Sequence, residues 1–542
     1  MFPRKLTKQV ICRSDYPVVQ TKYGKLRGME IEGAFVFRGI QYGRAERFHM
    51  PKDPLPWDGI RDALAFGPVC PELATSMMEW DGYAVPNYWY PQREDCQYLN
   101  IWTQHIDPDA KRPVMVWLHG GAYHKCSGIN CFSYDGTELS KFGDVVVINV
   151  CHRLHALGFL DLSDYGEEYR NSGNCGIADL VKALEWIRDN ISAFGGDPNR
   201  VMLFGQSGGG GKIAALLQTP AADGLFHAGA MESGGCDTPN NAGHPHDYAS
   251  RMTDKILHHL TIRKENIKEL ETIPFYKLAR AVVDSTAQWR AETGGNYKWQ
   301  PLINDYFLGH PMNVGFRQEN IDLPLLIGST FGEFANNLHL DPAGKSEDGH
   351  KNTWDDATCK RRYAEKYGEL AEPIYRAYRA AFPDKPPADG LFFDPVWRSD
   401  TVKFCRKRAQ QGSKTTYNWM MNLELPPDGG CVSYHQAEQP YVFHESEYFE
   451  SSFIPGVSDR LQDQFAGSWV ALAECGDPNI DQLPEWKPVQ AEGPFETLIF
   501  DRECKIVYDY DFKLLDVMSS LTDFGSFGPN QAAYGGGPRG AR

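Results

Sequence analysis

Two apolar runs stand out along the chain, Val114-Met115-Val116-Trp117-Leu118 and Val145-Val146-Val147-Ile148, the latter closed by Asn149. Continuous runs of this kind predict strands buried on both faces of a parallel sheet. Upstream, from about Val18 to Tyr42, the apolar stretches are shorter and broken at Tyr23-Gly24 and Glu32-Gly33, which predicts short strands and turns. Downstream, Ile177, Leu180, Val181, Leu184, Ile187 and Ile191 recur at helical spacing and form one stripe. Phe194-Gly195-Gly196 closes that helix. A third run, Val201-Met202-Leu203-Phe204, leads into Gly205-Gln206-Ser207-Gly208-Gly209, and the chain turns helical where the glycines end, from Lys212 to Leu217. Strand, helix, strand, helix in alternation is the α/β pattern, with a large, mainly parallel central sheet flanked by helices.

After Met231 the strand signals fade. Helices are expected at Tyr248–His259 and Asn266–Val283, a strand at Leu323–Gly328, a helical stretch over Asp355–Phe382 and a strand at Thr415–Met420. The helical stretches, about 237–320 and 355–410, read as insertions at the ends of the sheet, where such segments form walls or a lid. Large α/β enzymes run as one unit, so a single catalytic domain is expected over 18–515, between an N-terminal segment, 1–17, and a mobile Gly/Pro-rich tail, 516–542.

Composition narrows the function. Hydrophobic residues at 42% supply a large core and argue against general disorder. The 55 basic and 71 acidic residues leave a net charge of −16, which disfavours nucleic acid and anionic membrane surfaces as partners. No apolar run reaches the roughly 18 residues that span a bilayer. Val10-Ile11-Cys12 is too short an apolar core for a signal peptide, so a cytoplasmic location is expected. The 13 scattered cysteines then read as mostly reduced thiols. Cys126 and Cys131, with His119 and His124 nearby, lack a standard zinc spacing, and no metal site is expected.

The candidate chemistry centres on Ser207. A G-x-S-x-G between a strand and a helix is a nucleophile elbow, whose sharp turn exposes the serine at the carboxyl edge of a sheet. A serine nucleophile needs a base, an orienting acid and donors for the developing oxyanion. In α/β-hydrolases the chain order is Ser, then Asp or Glu, then His. Glu333, just past the Leu325–Gly328 strand, and His435, in Ser433-Tyr434-His435-Gln436, fit that order. Asp322 precedes the strand, on its wrong side for a triad acid. His119-Gly120-Gly121-Ala122-Tyr123 follows the Val114–Leu118 strand, and its small residues let backbone N–H groups face a cavity together with that of Gly208.

At these residues the chain resembles the type-B carboxylesterase family, which includes cholinesterases and bacterial para-nitrobenzyl esterases. Phe194-Gly195-Gly196-Asp197-Pro198-Asn199-Arg200 running into the elbow is one signature, and Glu94-Asp95-Cys96-Gln97-Tyr98-Leu99-Asn100-Ile101 is another. Phe37-Arg38-Gly39-Ile40-Gln41-Tyr42 and Cys475-Gly476-Asp477-Pro478-Asn479 are also similar, so the likeness runs from about Val18 to Tyr508. It implies an α/β-hydrolase fold and hydrolysis of carboxylic esters through an acyl-enzyme, with Ser207, Glu333 and His435 catalytic. It also implies oxyanion donors at Gly121, Ala122 and Gly208, with Gly120 supporting the turn. The expected partner is a small-molecule ester, with no metal or organic cofactor. Amides, carbamates or thioesters could use the same triad, and a non-catalytic binding protein is the other alternative.

Some positions depart from the family. Gln206 stands where glutamate is usual, which makes a cationic substrate less favoured. Gly208 replaces the usual alanine and opens a run of four glycines, which would leave room for a bulky acyl group. Cys70 and Cys96 match a family disulfide, a bond that a cytosolic protein need not form, and the sequence leaves the pairing open. The loop between them carries Trp80 and Tyr88-Trp89-Tyr90, and in the family it lines the gorge entrance. Trp80, Gln206 and Tyr123 are accordingly expected to contact substrate.

Overall fold

Arg112–Leu118 is buried from Pro113 onward, and Val146–Val150 is buried throughout, as their unbroken apolar sequences require. The computed structural model describes residues 9–73, 88–236, 241–334 and 348–521. Contacts divide the chain into two compact units. The first comprises residues up to Pro324 with Val470–Asp477, and the second Leu325–Trp469 with the residues from Pro478.

In the first unit eight strands lie in the order Val10–Ile11, Met29–Ile31, Ala34–Gln41, Tyr98–Thr103, Val146–Val150, Arg112–Leu118, Gly196–Gln206 and Ala228–Glu232. The last four are joined by parallel pairings, and those toward Val10–Ile11 are antiparallel. The sheet is therefore mixed, and parallel where the elbow sits. Three further short strands, Val18–Gln20, Lys25–Arg27 and Ile60–Asp62, form a separate small sheet. The helix expected from the apolar stripe spans Cys175–Asn190. Asp179, buried within it, pairs with the buried Arg153 at 2.7 Å.

One expected helix is divided. Instead of a continuous Asn266–Val283, the chain forms Glu269–Thr272 and Phe275–Thr293. Pro274 forces the break by holding Ile273 extended, at φ −60° and ψ 144°. The second helix packs against His246–Leu260, with Trp289 edge-on to Tyr248 at 4.8 Å between ring centroids.

In the second unit Leu325–Thr330, Thr416–Met421 and Glu496–Phe500 pair in parallel, and Lys505–Tyr508 closes the edge antiparallel. Phe331, at the end of the first of these strands, sits in an aromatic cluster with Tyr378, Phe382 and Phe393. That cluster anchors the backbone immediately before Glu333. Asp355–Phe382 resolves into the helices Asp356–Tyr367 and Ala371–Ala381.

Cys70 and Cys96 are buried free thiols, and the Cys70 sulfur accepts from the Leu154 N–H at 3.3 Å. Trp80 and the tail from Gly525 lie outside the described residues. No described helix is long and apolar enough to cross a membrane. Among the described residues, no group of three or more His, Cys, Asp or Glu side chains could hold a metal ion.

Candidate active site

The elbow is a strand, one strained residue and a helix. Gly196–Gln206 ends at Ser207, which has φ 57° and ψ −121°, and the helix Gly208–Leu216 begins at once. A serine held at positive φ stores strain that the surrounding chain must impose. It does so by hydrogen bonds on both sides, from the Ser207 N–H to the Glu232 carbonyl at 2.7 Å and from the Gly211 N–H to the Ser207 carbonyl at 3.2 Å. The helix therefore starts within the glycine run and not after it. The run itself answers to backbone crowding. A Cβ on Gly209 would lie 1.9 Å from the Leu118 carbonyl oxygen, and one on Gly208 would lie 2.3 Å from Ala122 N and Cα. At Gly209 the space is occupied by main chain, so that glycine does not make room for an acyl group.

The His119–Tyr123 loop leaves the sheet beside the elbow because its strand pairs in register, Leu118 opposite Gly205. Gly121 and Ala122 both adopt left-handed backbone, at φ 79° and 51°. The Gly120 carbonyl accepts from His119 Nδ1 at 2.8 Å, and the Gly121 carbonyl accepts the N–H groups of His124 and Lys125, each at 3.2 Å. Gln206 is fully buried, its Oε1 3.3 Å from where a Cβ on Gly120 would stand. Tyr123 is also buried, and its hydroxyl donates to the Gly211 carbonyl at 2.9 Å, which ties the loop to the elbow helix.

Glu333 and His435 meet in the second unit. His435 Nδ1 lies 2.5 Å from Glu333 Oε2, with both side chains buried. Facing a carboxylate, Nδ1 carries the proton and leaves the basic lone pair on Nε2. The other carboxylate oxygen, Oε1, accepts the Thr330 N–H at 2.8 Å, and the Glu333 N–H donates to Thr330 Oγ1 at 3.2 Å. The two loops run side by side: the His435 N–H donates to the Glu333 carbonyl at 3.0 Å, and the Gly332 N–H to the Ser433 carbonyl at 2.8 Å. Phe334 packs on the imidazole, ring centroids 4.2 Å apart, with Trp397 at 5.5 Å. Thus Ser207, Gly120, Gly121, Ala122 and Gly208 come together in the first unit, and Glu333 and His435 in the second.

Two residues escaped the sequence reading. Thr330 ends a strand and holds Glu333 partly through its backbone, for which no sequence signal exists. Lys212 is the sole charge in the helix Gly208–Leu216, yet it is fully buried. That isolation was the available signal.

The sequence profile of the Carboxylesterase family matches residues 15–509. The para-nitrobenzyl esterase of Bacillus subtilis is 31% identical over 503 residues, covering 91% of this chain and 96% of that protein. The phenmedipham hydrolase of Pseudarthrobacter oxydans is 29% identical over 510 residues, covering 91% and 97%. Among solved structures, an esterase from Clostridium hathewayi that can hydrolyse aliphatic aromatic polyesters superposes with a TM-score of 0.87 at 38% identity, covering 95% of this chain and all of that one. A PNB esterase superposes at 0.69 with 28% identity. These likenesses give the α/β-hydrolase fold, and the chain belongs to the carboxylesterase family, as a carboxylic-ester hydrolase.

Proposed function

We propose that this carboxylic-ester hydrolase works through an acyl-enzyme on Ser207, with His435 as base and acid and Glu333 as its orienting carboxylate. The observation that carries the reading is Ser207 held at positive φ on the elbow, beside a loop whose peptide N–H groups are turned by hydrogen bonds to their neighbouring carbonyls. Ser207 Oγ attacks the ester carbonyl carbon while His435 Nε2 takes its proton. The N–H groups of Gly121, Ala122 and Gly208 stabilise the oxyanion, and Gly120 supports their turn. Collapse breaks the ester C–O bond, and the leaving alkoxide takes the proton back from His435. Water, deprotonated by the same imidazole, then attacks the acyl-serine; the acyl C–Oγ bond breaks, His435 returns the proton to Ser207 Oγ, and the acid is released. Throughout, Glu333 keeps the proton on Nδ1 and stabilises the imidazolium.

The substrate is a small-molecule ester, and no metal or organic cofactor enters the reaction. The likeness to the Clostridium hathewayi esterase supports aromatic esters as the class to assay first. Hydrolysis of p-nitrophenyl butyrate by wild type and Ser207→Ala tests the reading. The mutant is expected to lose activity by about 10⁴-fold or more while folding normally. A mutant that keeps wild-type turnover would place the nucleophile elsewhere.

A further inference from the structure

Lys212 stands five residues after the nucleophile, on the helix Gly208–Leu216, with none of its surface exposed. Its ammonium donates to the carbonyls of His119 at 2.6 Å and Ala122 at 2.9 Å, and lies 3.5 Å from that of Gly120. All its hydrogen-bond acceptors among the described residues are thus carbonyls of the oxyanion loop. An ammonium has three donors and no acceptor, so three converging carbonyls suit its charged form. Burial opposes that charge and pulls the Lys212 pKa down from 10.5 to about 7. The rings of His119 and His152, 5.1 Å apart, are kept neutral by burial and by the nearby Lys212 charge. They add no competing cation to the cluster.

The consequence follows from peptide geometry. In a trans peptide the carbonyl and the next N–H point in opposite directions. The Gly120 carbonyl accepts from His119 Nδ1 at 2.8 Å and faces the Lys212 ammonium at 3.5 Å, which turns the Gly121 N–H away from that ammonium. The Gly121 carbonyl is held by the His124 and Lys125 N–H groups, which turns the Ala122 N–H in the same manner. Gly120 and Gly121 have wide conformational freedom, so this orientation has to be imposed by hydrogen bonds to the loop carbonyls, those from Lys212 among them. A charge-assisted hydrogen bond is about twice as strong as a neutral one and is suited to that task.

We propose that Lys212 is a positioning residue for ester hydrolysis: its ammonium clamps the His119–Ala122 loop from behind, so that the loop N–H groups meet the developing oxyanion. This inference rests on Ser207 being the nucleophile. A residue that merely supported packing would change the fraction of folded protein. A clamp changes kcat per competent site, because the oxyanion exists only in the transition state and not in the bound ester.

The test uses the full chain with Lys212→Met and Lys212→Gln. Competent sites are titrated to completion with diethyl p-nitrophenyl phosphate, and kcat and KM are measured on p-nitrophenyl butyrate. Inhibition by a trifluoromethyl ketone, which forms a tetrahedral adduct, reports the oxyanion site directly. Per-site kcat is expected to fall about 100-fold with KM within about threefold of wild type, and the ketone to weaken in parallel with kcat/KM. Lys212→Gln keeps a donor without the charge and reads the same quantities where Lys212→Met folds poorly. Per-site kcat and ketone affinity within about threefold of wild type in a folded variant would overturn the clamp, whatever the yield of protein. A wild type whose hydrolysis survives Ser207→Ala would overturn the nucleophile, and the clamp with it. A Ser207-dependent wild type with undiminished Lys212 variants would overturn the clamp alone.

Discussion

The elbow and the His119–Ala122 loop are main chain packed on main chain, whereas Glu333 and His435 are side chains that two loops bring into contact. The first region has no spare volume: Gly208 lies against Ala122 and Gly209 against the Leu118 carbonyl. In the second, the carboxylate and imidazole are fixed by hydrogen bonds from Thr330 and by the rings of Phe334 and Trp397. One added atom should damage the first region, while the second should accept an isosteric change in structure and fail only in its chemistry.

Glu333→Gln is the most severe chemical break. The amide fits the same space but cannot hold the proton on His435 Nδ1, so kcat should fall by about 10⁴-fold with the unfolding midpoint near wild type. Near-wild-type turnover in a folded protein would remove Glu333 from its role. Gly208→Ala probes the other region. Its Cβ must push Ala122, so kcat should drop about 10²- to 10³-fold, with a smaller change in KM. An unchanged kcat would mean that the loop has room to shift.

Gly209→Ala separates crowding from acyl space. The new methyl meets backbone at the end of a buried strand, and urea unfolding should show a loss of about 3 kcal/mol. The ratio of activities on short and long p-nitrophenyl acyl chains should stay as in wild type. A changed ratio without loss of stability would restore the idea of acyl room at this position.

A gentler probe is acid. The His119 and His152 imidazoles are held far below their ordinary pKa by burial, and His244 is pulled down to about 4 for the same reason. Each stays neutral in the fold and takes up a proton on unfolding below its ordinary value of 6.5. The unfolded state therefore gains protons first, and stability falls as pH drops from about 7. For His244 the loss by pH 5 is about 2 kcal/mol. Unfolding midpoints at pH 7.5 and 5 should differ, and His244→Phe should flatten that difference. An unaltered slope in the variant would contradict the assignment to His244.

The same contrast explains what could be read from the sequence. The elbow was legible because its demands are local: an apolar strand, a serine flanked by glycines, then a helix. The position of the His119–Tyr123 loop beside the elbow was legible because it follows its strand directly. Glu333 and His435 are 102 residues apart, and chain order within a known fold, not spacing, brought them together. Lys212 was missed because a lysine in a helix ordinarily reaches solvent, and only tertiary packing turns it inward. The division of Asn266–Val283 was missed although Pro274 marked it, because the apolar periodicity continues on both sides. The glycine run reads in the sequence as room for an acyl group, and only the neighbouring backbone accounts for Gly208 and Gly209 by crowding.

Whether Ser207 is the nucleophile is decided by labelling the wild-type chain with diethyl p-nitrophenyl phosphate and mapping the product by peptide mass spectrometry. One diethylphosphoryl group per chain is expected, on Ser207, appearing in step with the loss of ester hydrolysis. A label on another residue, or inactivation without modification of Ser207, would contradict that assignment.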